Sequence, residues 1–226
     1  MTADGSGESA AGAPQYRYFV VLGMMLVAVV FLIAAPTANW SRGLAVGIEG
    51  AALVLSVATS HERRSVRQRK AVVLAVVMIV AVVLIGVGDA PRWLIALLAV
   101  FLTAGIPIAL VRGLLRLLRD RGVTVHAVAG SLAIYLSIGL IFAWVIGFVA
   151  VVGSASYFAQ HTNGTQGDKV YYSFTVLTTT GFGDFTPATP AGHAIAVIEM
   201  LTGQLYLVTV IGLLIGNFAS RRRADS

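Results

Sequence analysis

The residues with the most specific chemistry lie between positions 178 and 184, where the sequence reads Thr-Thr-Thr-Gly-Phe-Gly-Asp. To coordinate a bare cation, successive backbone carbonyls must point the same way, whereas those of an ordinary strand alternate. Alternation is lost when residues switch between right-handed and left-handed backbone conformations, and glycine adopts the left-handed one without a Cβ penalty. Gly181 and Gly183 therefore supply this switch, and Thr179 adds a hydroxyl oxygen. Residues 179–183, the filter strip, are thus a candidate cation site.

A short apolar piece before the strip, residues 169–180, indicates how the strip is held. It is too short to span a bilayer. Non-helical backbone at membrane depth survives only when it is buried in protein or lines a wet cavity. We therefore expect a short helix to enter the membrane from outside and the chain to return through the strip, roughly 12–17 Å long. The negative end of the helix dipole would favour a cation below it.

The composition is that of a membrane protein. Of the 226 residues, 58% are hydrophobic and only 12% are charged. The apolar residues fall in blocks near the length of about 20 residues that a helix needs to cross roughly 30 Å of hydrocarbon. Six such blocks occupy residues 18–36, 43–59, 71–88, 93–111, 125–153 and 192–219. The predicted fold class is an all-α membrane protein with six transmembrane helices, a re-entrant pore helix and a selectivity-filter loop.

The charges predict the orientation of these spans. The net charge is +6, but 13 of the 16 basic residues lie before block one, between blocks two and three, between blocks four and five, and after block six. The other three, Arg42, Arg92 and Lys169, lie in the alternate loops. This is the positive-inside pattern for a multi-pass protein with both termini in the cytoplasm. We expect the plasma (inner) membrane. It argues against nucleic acid as the partner.

Five regions follow from these patterns. They are a disordered leader, a four-helix transmembrane bundle, an amphipathic linker helix, a pore domain and a short basic cytoplasmic tail, over residues 1–15, 16–111, 112–122, 123–220 and 221–226. The pore domain comprises the outer helix, the pore helix, the filter and the inner helix.

The linker helix is predicted to lie in the cytoplasmic interface of the membrane. At 100° per residue, Arg112, Arg116 and Arg119 share one face, and three leucines lie opposite. The arginines are therefore candidates for contact with anionic lipid headgroups. The alternative is that these residues are the solvated end of block four.

Two carboxylates fall inside apolar blocks, where ionisable groups are costly and often functional. Glu49 in block two is open to a functional role or to a role as polar glue between helices. Glu199 in block six lies about 140° around the helix from Gln204. Hydrogen bonding to Ser173 or Thr175 of the pore helix, in a structural role, fits it better than ion binding.

The arrangement resembles the tetrameric potassium channels, whose signature is four Thr-Val-Gly-Tyr-Gly loops. An outer span, a short helix, the Thr-Thr-Thr-Gly-Phe-Gly-Asp run and an inner span follow in that order over residues 125–223. The run Gly203-Gln204-Leu205-Tyr206 is similar to the inner helix of bacterial members. Residues 16–111 complete the six-span plan and resemble a degenerate voltage-sensor domain.

The resemblance implies roles for individual residues. The permeant K⁺ would bind at the filter residues Thr179, Thr180, Gly181, Phe182 and Gly183. Asp184 would sit at the outer mouth, Tyr171 and Tyr172 would form part of a cuff around the filter, and Gly203 would be a hinge. The cavity and gate would be lined by Gln204, Leu207, Ile211 and Ile215. Thr180 stands where the family most often has Val or Ile, which leaves the strictness of selectivity open, and Phe182 replaces the common Tyr.

The predicted function is passive conduction of K⁺ through a homotetrameric pore, without steep voltage gating because block four holds no basic residue. Alternatives are a weakly selective channel that also passes Na⁺, a subunit of a potassium-uptake transporter, and an accessory protein that does not conduct. No catalytic constellation stands out, so we expect neither enzymatic activity nor a cofactor beyond the permeant ions. The absence of cysteine and the short chain favour a bacterial source.

Overall fold

The computed structural model describes residues 16–36, 39–59, 91–121 and 123–212, together with residues 214 and 216. Within this part of the chain lie six α-helices: α1 (Tyr16–Ala34), α2 (Asn39–Thr59), α3 (Arg92–Arg121), α4 (Val125–Val152), α5 (Gln166–Leu177) and α6 (Pro190–Leu205). A π-helical turn, Tyr206–Ile211, continues α6. The third apolar block, the leader and the basic tail lie outside the described residues, so the six-span plan stays a prediction.

The described part of the chain is helical, and it contains isolated β-bridges but no strand. Three of its helices are long and apolar enough to cross a membrane, over Trp93–Arg119, Val125–Val152 and Pro190–Ile211. Two shorter apolar segments, Tyr18–Ala34 and Gly47–Ser56, lie in α1 and α2. The prediction of a helical membrane protein is confirmed at this level.

Helices α1 and α3 pack against α4, and α2 packs on α1 and α3, within one apolar core. Val21 and Met25 of α1, Leu53 of α2 and Ile106 of α3 are fully or almost fully buried in it, with Leu140 of α4. In lipid no hydrophobic force drives helices together, so van der Waals packing of these side chains stabilises the contact. The bundle is therefore docked on the outer helix of the pore region of the same chain.

The end of α1 also reaches the pore helix α5. A Cβ on Gly167, in the first turn of α5, would lie only 2.9 Å from the carbonyl oxygen of Leu32. Only a residue without a side chain permits this approach of one backbone to another. The first helix of the chain thus supports the helix that carries the filter strip.

Glu49 forms a polar junction between the bundle and the pore region. Its carboxyl accepts hydrogen bonds from the Thr103 hydroxyl of α3 at 2.6 Å and from the Trp144 indole nitrogen of α4 at 3.1 and 3.2 Å. All three residues are buried. Of the two roles left open by the sequence, the contacts match polar glue between helices, because they join α2, α3 and α4.

Residues 112–121, which the sequence predicts to be helical, continue the helix of block four. Block four and the expected linker helix are not separated, since α3 runs without a break from Arg92 to Arg121 and includes Pro107. Leu114 is buried and its neighbours Leu117 and Leu118 pack on the protein core, which stabilises the continuation of the helix. The leucine face therefore meets protein, while Arg112 on the other side is exposed.

The pore region begins with α4, whose first turn is capped by Thr124, and contains α5 and α6. The helix α5 starts three residues before the predicted position 169 because Thr165 and Asp168 form a capping box. The Thr165 hydroxyl accepts from the Asp168 amide at 3.1 Å and the Asp168 carboxylate accepts from the Thr165 amide at 2.7 Å. The Thr-x-x-Asp spacing signals such a start in the sequence. Thr189 caps α6 by a single bond, in which its hydroxyl accepts from the Gly192 amide, and Pro190 lies in the first turn.

The connection after α4 is paired with the segment that follows the filter strip. The Ala159 amide donates to the Thr186 carbonyl, and the Ala188 amide donates to the Tyr157 carbonyl, both at 2.8 Å. Phe158 is fully buried and its ring contacts the rings of Tyr157, Tyr172 and Phe185. This pairing fixes the chain on the outer side of the strip.

Candidate functional site

The start of the filter strip is anchored to the last turn of α5. Four consecutive amides turn back to that helix: Thr178 N donates to Phe174 O, Thr179 N to Val176 O, and Thr180 N and Gly181 N both to Thr175 O. The donor–acceptor distances are between 2.9 and 3.1 Å. Carbonyls at a helix C-terminus have no intrahelical partner, so these bonds satisfy them and at the same time fix the direction of the strip.

The backbone of the strip alternates in handedness. Gly181 has a φ of 52° and Gly183 a φ of 80°, so both adopt the left-handed conformation that the sequence predicts for them. Thr179 is also left-handed, with a φ of 56°. Thr180 and Phe182, which lie between them, are outside that region. Sequence reasoning missed Thr179, because a threonine gives no signal for a conformation that is rare in β-branched residues.

The carbonyl oxygens of residues 179–183 find no hydrogen-bond donor in the part of the chain that the structure describes. Among the described residues, none of them accepts a hydrogen bond from a backbone or side-chain donor. These residues are exposed in the single chain, so water or a ligand, and not the described protein, must satisfy these acceptors. Five successive carbonyls are therefore available to a ligand outside the single chain.

The hydroxyl of Thr180 is held by the residue that ends the pore helix. The Thr178 hydroxyl donates its only proton to the Phe174 carbonyl at 2.7 Å. The contact of 2.9 Å between the hydroxyl oxygens of Thr178 and Thr180 must therefore use the Thr180 proton. Thr180 stands where the potassium channels that the sequence resembles most often have Val or Ile. Its side chain is thus bonded to the residue that caps α5.

Gln204 of α6 is joined directly to the inner end of the strip. Its amide nitrogen donates to the Thr179 hydroxyl oxygen at 2.8 Å. The predicted role of Gln204 as part of a cavity lining gave no indication of this bond. It connects the inner helix to the one non-glycine residue of the strip that is left-handed.

Gly203, the predicted hinge, lies against the end of the pore helix. A Cβ at this position would be 2.1 Å from the Leu177 carbonyl oxygen and 3.0 Å from its carbonyl carbon. The glycine is therefore required for the close approach of α6 to α5, whether or not the helix bends there. The π-helical turn begins three residues later, at Tyr206.

The outer end of the strip meets one of the two predicted cuff tyrosines. The rings of Tyr171 and Phe182 are stacked, with centroids 6.3 Å apart and an interplanar angle of 5°. Tyr171 also interacts electrostatically with the carboxylate of Asp184. Tyr172 instead points into the aromatic cluster around Phe158. Of the pair, Tyr171 is the one that contacts the filter within the chain.

The predicted lining residues of the inner helix differ in exposure in the single chain. Gln204 is exposed, Leu207 is half-buried and Ile211 is buried, while Ile215 lies outside the described residues. The wider i→i+5 turn from Tyr206 changes the angular spacing from that of an α-helix. Their role as a common lining stays a prediction for the assembled protein.

Glu199 lies behind the filter, on the inner helix. It is fully buried, and the Ser173 hydroxyl oxygen is 2.5 Å from one of its carboxyl oxygens. The prediction that Glu199 bonds to the pore helix is confirmed, with Ser173 as the partner.

Comparison with known proteins gives one family. Residues 132–220, which run from α4 to beyond α6, match the family model described as an ion channel, a domain of the pore type with two membrane helices. The match covers less than half of the chain and supports an ion channel embedded in the membrane. None of the curated proteins and none of the solved structures matches the chain.

Proposed function

We propose that the protein is a potassium-selective channel that conducts K⁺ passively through a homotetrameric pore. The observation that carries the proposal is the filter strip, in which every second residue is left-handed and five successive carbonyls have no partner among the described residues. Such carbonyls replace the hydration shell of a permeating cation in potassium-selective filters. The amides of Thr179, Thr180 and Gly181 donate to carbonyls of α5, which holds the strip in place. The carbonyl oxygens of the strip remain available to the ion.

Assembly of four chains follows from the same geometry. One chain contributes one strip of carbonyls, and a dehydrated cation needs oxygen atoms from several sides, so a closed ring of strips is required. The inner helix offers a surface for such contacts, because it exposes the apolar side chains Val197, Ile198, Leu201, Leu205 and Val208. Symmetric packing of these faces would enclose the strips at the centre of the assembly.

Selectivity for K⁺ over Na⁺ is supported by the way Thr180 is held. Because its hydroxyl donates to Thr178, the side chain has an anchor on the pore helix, where an aliphatic residue would be held by packing alone. A strip with a fixed position keeps the diameter of the oxygen ring and the field of its carbonyl dipoles at values that favour K⁺ over the smaller Na⁺. A strip without such an anchor would favour a pore that also passes Na⁺.

Reconstitution into liposomes tests the proposal. We expect purified protein to be a tetramer by native mass and to carry K⁺ at least about tenfold faster than Na⁺, as a filter of backbone carbonyls requires. The measurement is the reversal potential under opposed K⁺ and Na⁺ gradients. Equal permeability would assign the protein to the weakly selective channels. Flux that requires a driving ion would indicate a transporter, and a monomer without flux would indicate an accessory protein.

We further propose that opening is not steeply dependent on voltage. Voltage sensors move about 3–4 charges per subunit, each worth about 2.3 kcal/mol per 100 mV. Helix α3 begins at Arg92, and it has no further basic residue until Arg112. We expect an apparent gating charge below one unit per channel from tail currents in planar bilayers. A gating charge of several units would contradict this proposal.

Anionic lipid is the partner that fits the basic end of α3. Arg112 and Arg119 are exposed on the face opposite the packed leucines, and Arg116 lies in the same helix. Each basic residue near an anionic surface contributes about 1 kcal/mol of binding free energy. We propose that these arginines contact headgroups of the inner leaflet and favour channel activity there.

A further inference from the structure

Ser173 lies between two oxygen atoms that come from different helices. Its hydroxyl oxygen is 2.7 Å from the Gly139 carbonyl oxygen of α4 and 2.5 Å from a carboxyl oxygen of Glu199 in α6. The serine and the glutamate are both fully buried. Oxygen atoms at such distances repel each other unless a proton lies between them, so the two contacts require two protons.

Ser173 can supply only one of these protons. The Gly139 carbonyl has none, so the serine hydroxyl donates to it. The second proton must therefore come from the carboxyl group. We propose that Glu199 is present as the neutral carboxylic acid, which donates to Ser173 while Ser173 donates to Gly139, and that this proton-donor chain is a positioning device for the filter.

The surroundings of Glu199 agree with a neutral group. Its second carboxyl oxygen is buried and accepts no hydrogen bond from the described residues, which is far more costly for a carboxylate than for an acid. The titratable side chains that interact with it are the phenols of Tyr135, Tyr157 and Tyr172, from α4, the outer connection and α5. Lys169 lies one turn before Ser173 on α5. Its ammonium donates a hydrogen bond to the Gly164 carbonyl at 3.2 Å.

The chain of donors joins the three helices of the pore region at one level. Glu199 belongs to α6, Ser173 to α5 and Gly139 to α4, and Ser173 lies five residues before the end cap Thr178. A shift of α5 along or away from its neighbours would break both bonds. The donor chain therefore fixes the height of the pore helix, and with it the position of the filter strip. This effect on conduction rests on the proposed function, whereas the protonation of Glu199 does not.

Infrared spectroscopy tests the protonation directly. Full-length protein in lipid at neutral pH is expected to show a carboxylic acid carbonyl band that disappears in Glu199→Gln. Glu49 is the second buried carboxyl of the described residues, and the spectrum of a Glu49→Gln variant is expected to keep the Glu199 band. A spectrum of Glu199→Gln that keeps the whole band of the wild-type protein would overturn the proposal.

Flux measurements test the positioning role. Glu199→Gln retains a donor toward Ser173, so its K⁺ flux and its K⁺ over Na⁺ permeability ratio are expected to stay within about twofold of the wild type. Ser173→Ala leaves the acid without an acceptor and is expected to lower the K⁺ flux by about tenfold or more. Ser137→Ala is the matched control, because this buried serine donates within its own helix, to the Ala133 carbonyl at 2.7 Å.

The outcomes separate this proposal from the channel proposal. A folded Glu199→Gln protein that loses flux as severely as Ser173→Ala would show that donation is not the role of the acid. Unchanged flux in Ser173→Ala would also overturn the positioning role. A wild-type protein that carries no K⁺ would refute the proposed function instead, and the infrared bands would still decide the protonation of Glu199.

Discussion

Replacing Gly181 or Gly183 by Ala is expected to abolish potassium selectivity. Both glycines are left-handed, and an L-residue pays about 1–2 kcal/mol in that conformation. In a fourfold ring the cost arises in every subunit, about 4–8 kcal/mol in total if the four contributions add. We expect the backbone to leave the left-handed conformation, which turns a carbonyl away from the ion path. The K⁺ over Na⁺ permeability ratio should fall by at least about tenfold, measured as a reversal potential in liposomes.

The physical cause can be isolated with a matched substitution. A Cβ on either filter glycine meets no other described atom of its own chain within 4 Å, so the expected effect within each subunit is the strain of the left-handed conformation. Gly23→Ala introduces the same methyl group into α1, also with nothing within 4 Å and without a positive φ. This control should conduct normally. Wild-type selectivity in Gly181→Ala and Gly183→Ala would mean that residues 179–183 are not the filter.

The second large effect is expected from Gly203→Ala. The new Cβ would stand 2.1 Å from the Leu177 carbonyl oxygen. This oxygen belongs to the backbone of α5, so it cannot move aside as the end of a flexible side chain could. Overpacking of a dense interior costs about 1–3 kcal/mol, occasionally more. In addition, α6 would be displaced from α5 and the bond from Gln204 to Thr179 would be lost. We expect a lower midpoint of thermal unfolding in detergent and a loss of K⁺ flux.

A second glycine of the same segment provides the comparison. A Cβ on Gly212 would have the Leu207 carbonyl oxygen as its nearest neighbour, at 3.8 Å, which is an ordinary contact. Gly212→Ala should therefore unfold at the wild-type temperature. A Gly203→Ala protein as stable and as conductive as Gly212→Ala would contradict the close approach of the two helices. A stable Gly203→Ala protein without flux would instead favour the predicted hinge.

The sequence by itself determined the local chemistry of the pore. Long apolar blocks predict membrane helices because a helix satisfies its own backbone polar groups in lipid. The two filter glycines predict left-handed backbone, since this preference belongs to the residue type. Glu199 predicts a polar partner on the pore helix, because a buried carboxyl must find one. These features depend on single residues and their spacing, and the structure contains each of them in its described part.

Contacts between distant segments were decided only by the tertiary structure. The bond from Gln204 to Thr179 joins residues 25 positions apart, and the indole bond from Trp144 to Glu49 joins residues 95 positions apart. A single sequence carries no signal for such pairs. The left-handed φ of Thr179 has the same origin, because its amide and its hydroxyl are held by α5 and α6 against the preference of a β-branched residue.

The course of α3 and the role of Gly203 were likewise set by packing. The sequence predicts a change at residue 112, where charge replaces apolar residues, yet the helix continues because its leucines find the protein core on one side. Gly203 predicts a hinge, and the tertiary structure adds a close approach to the Leu177 carbonyl, which a Cβ would block. Residue type determines what a segment can do in water or lipid, whereas the neighbour that it meets depends on how the whole chain packs.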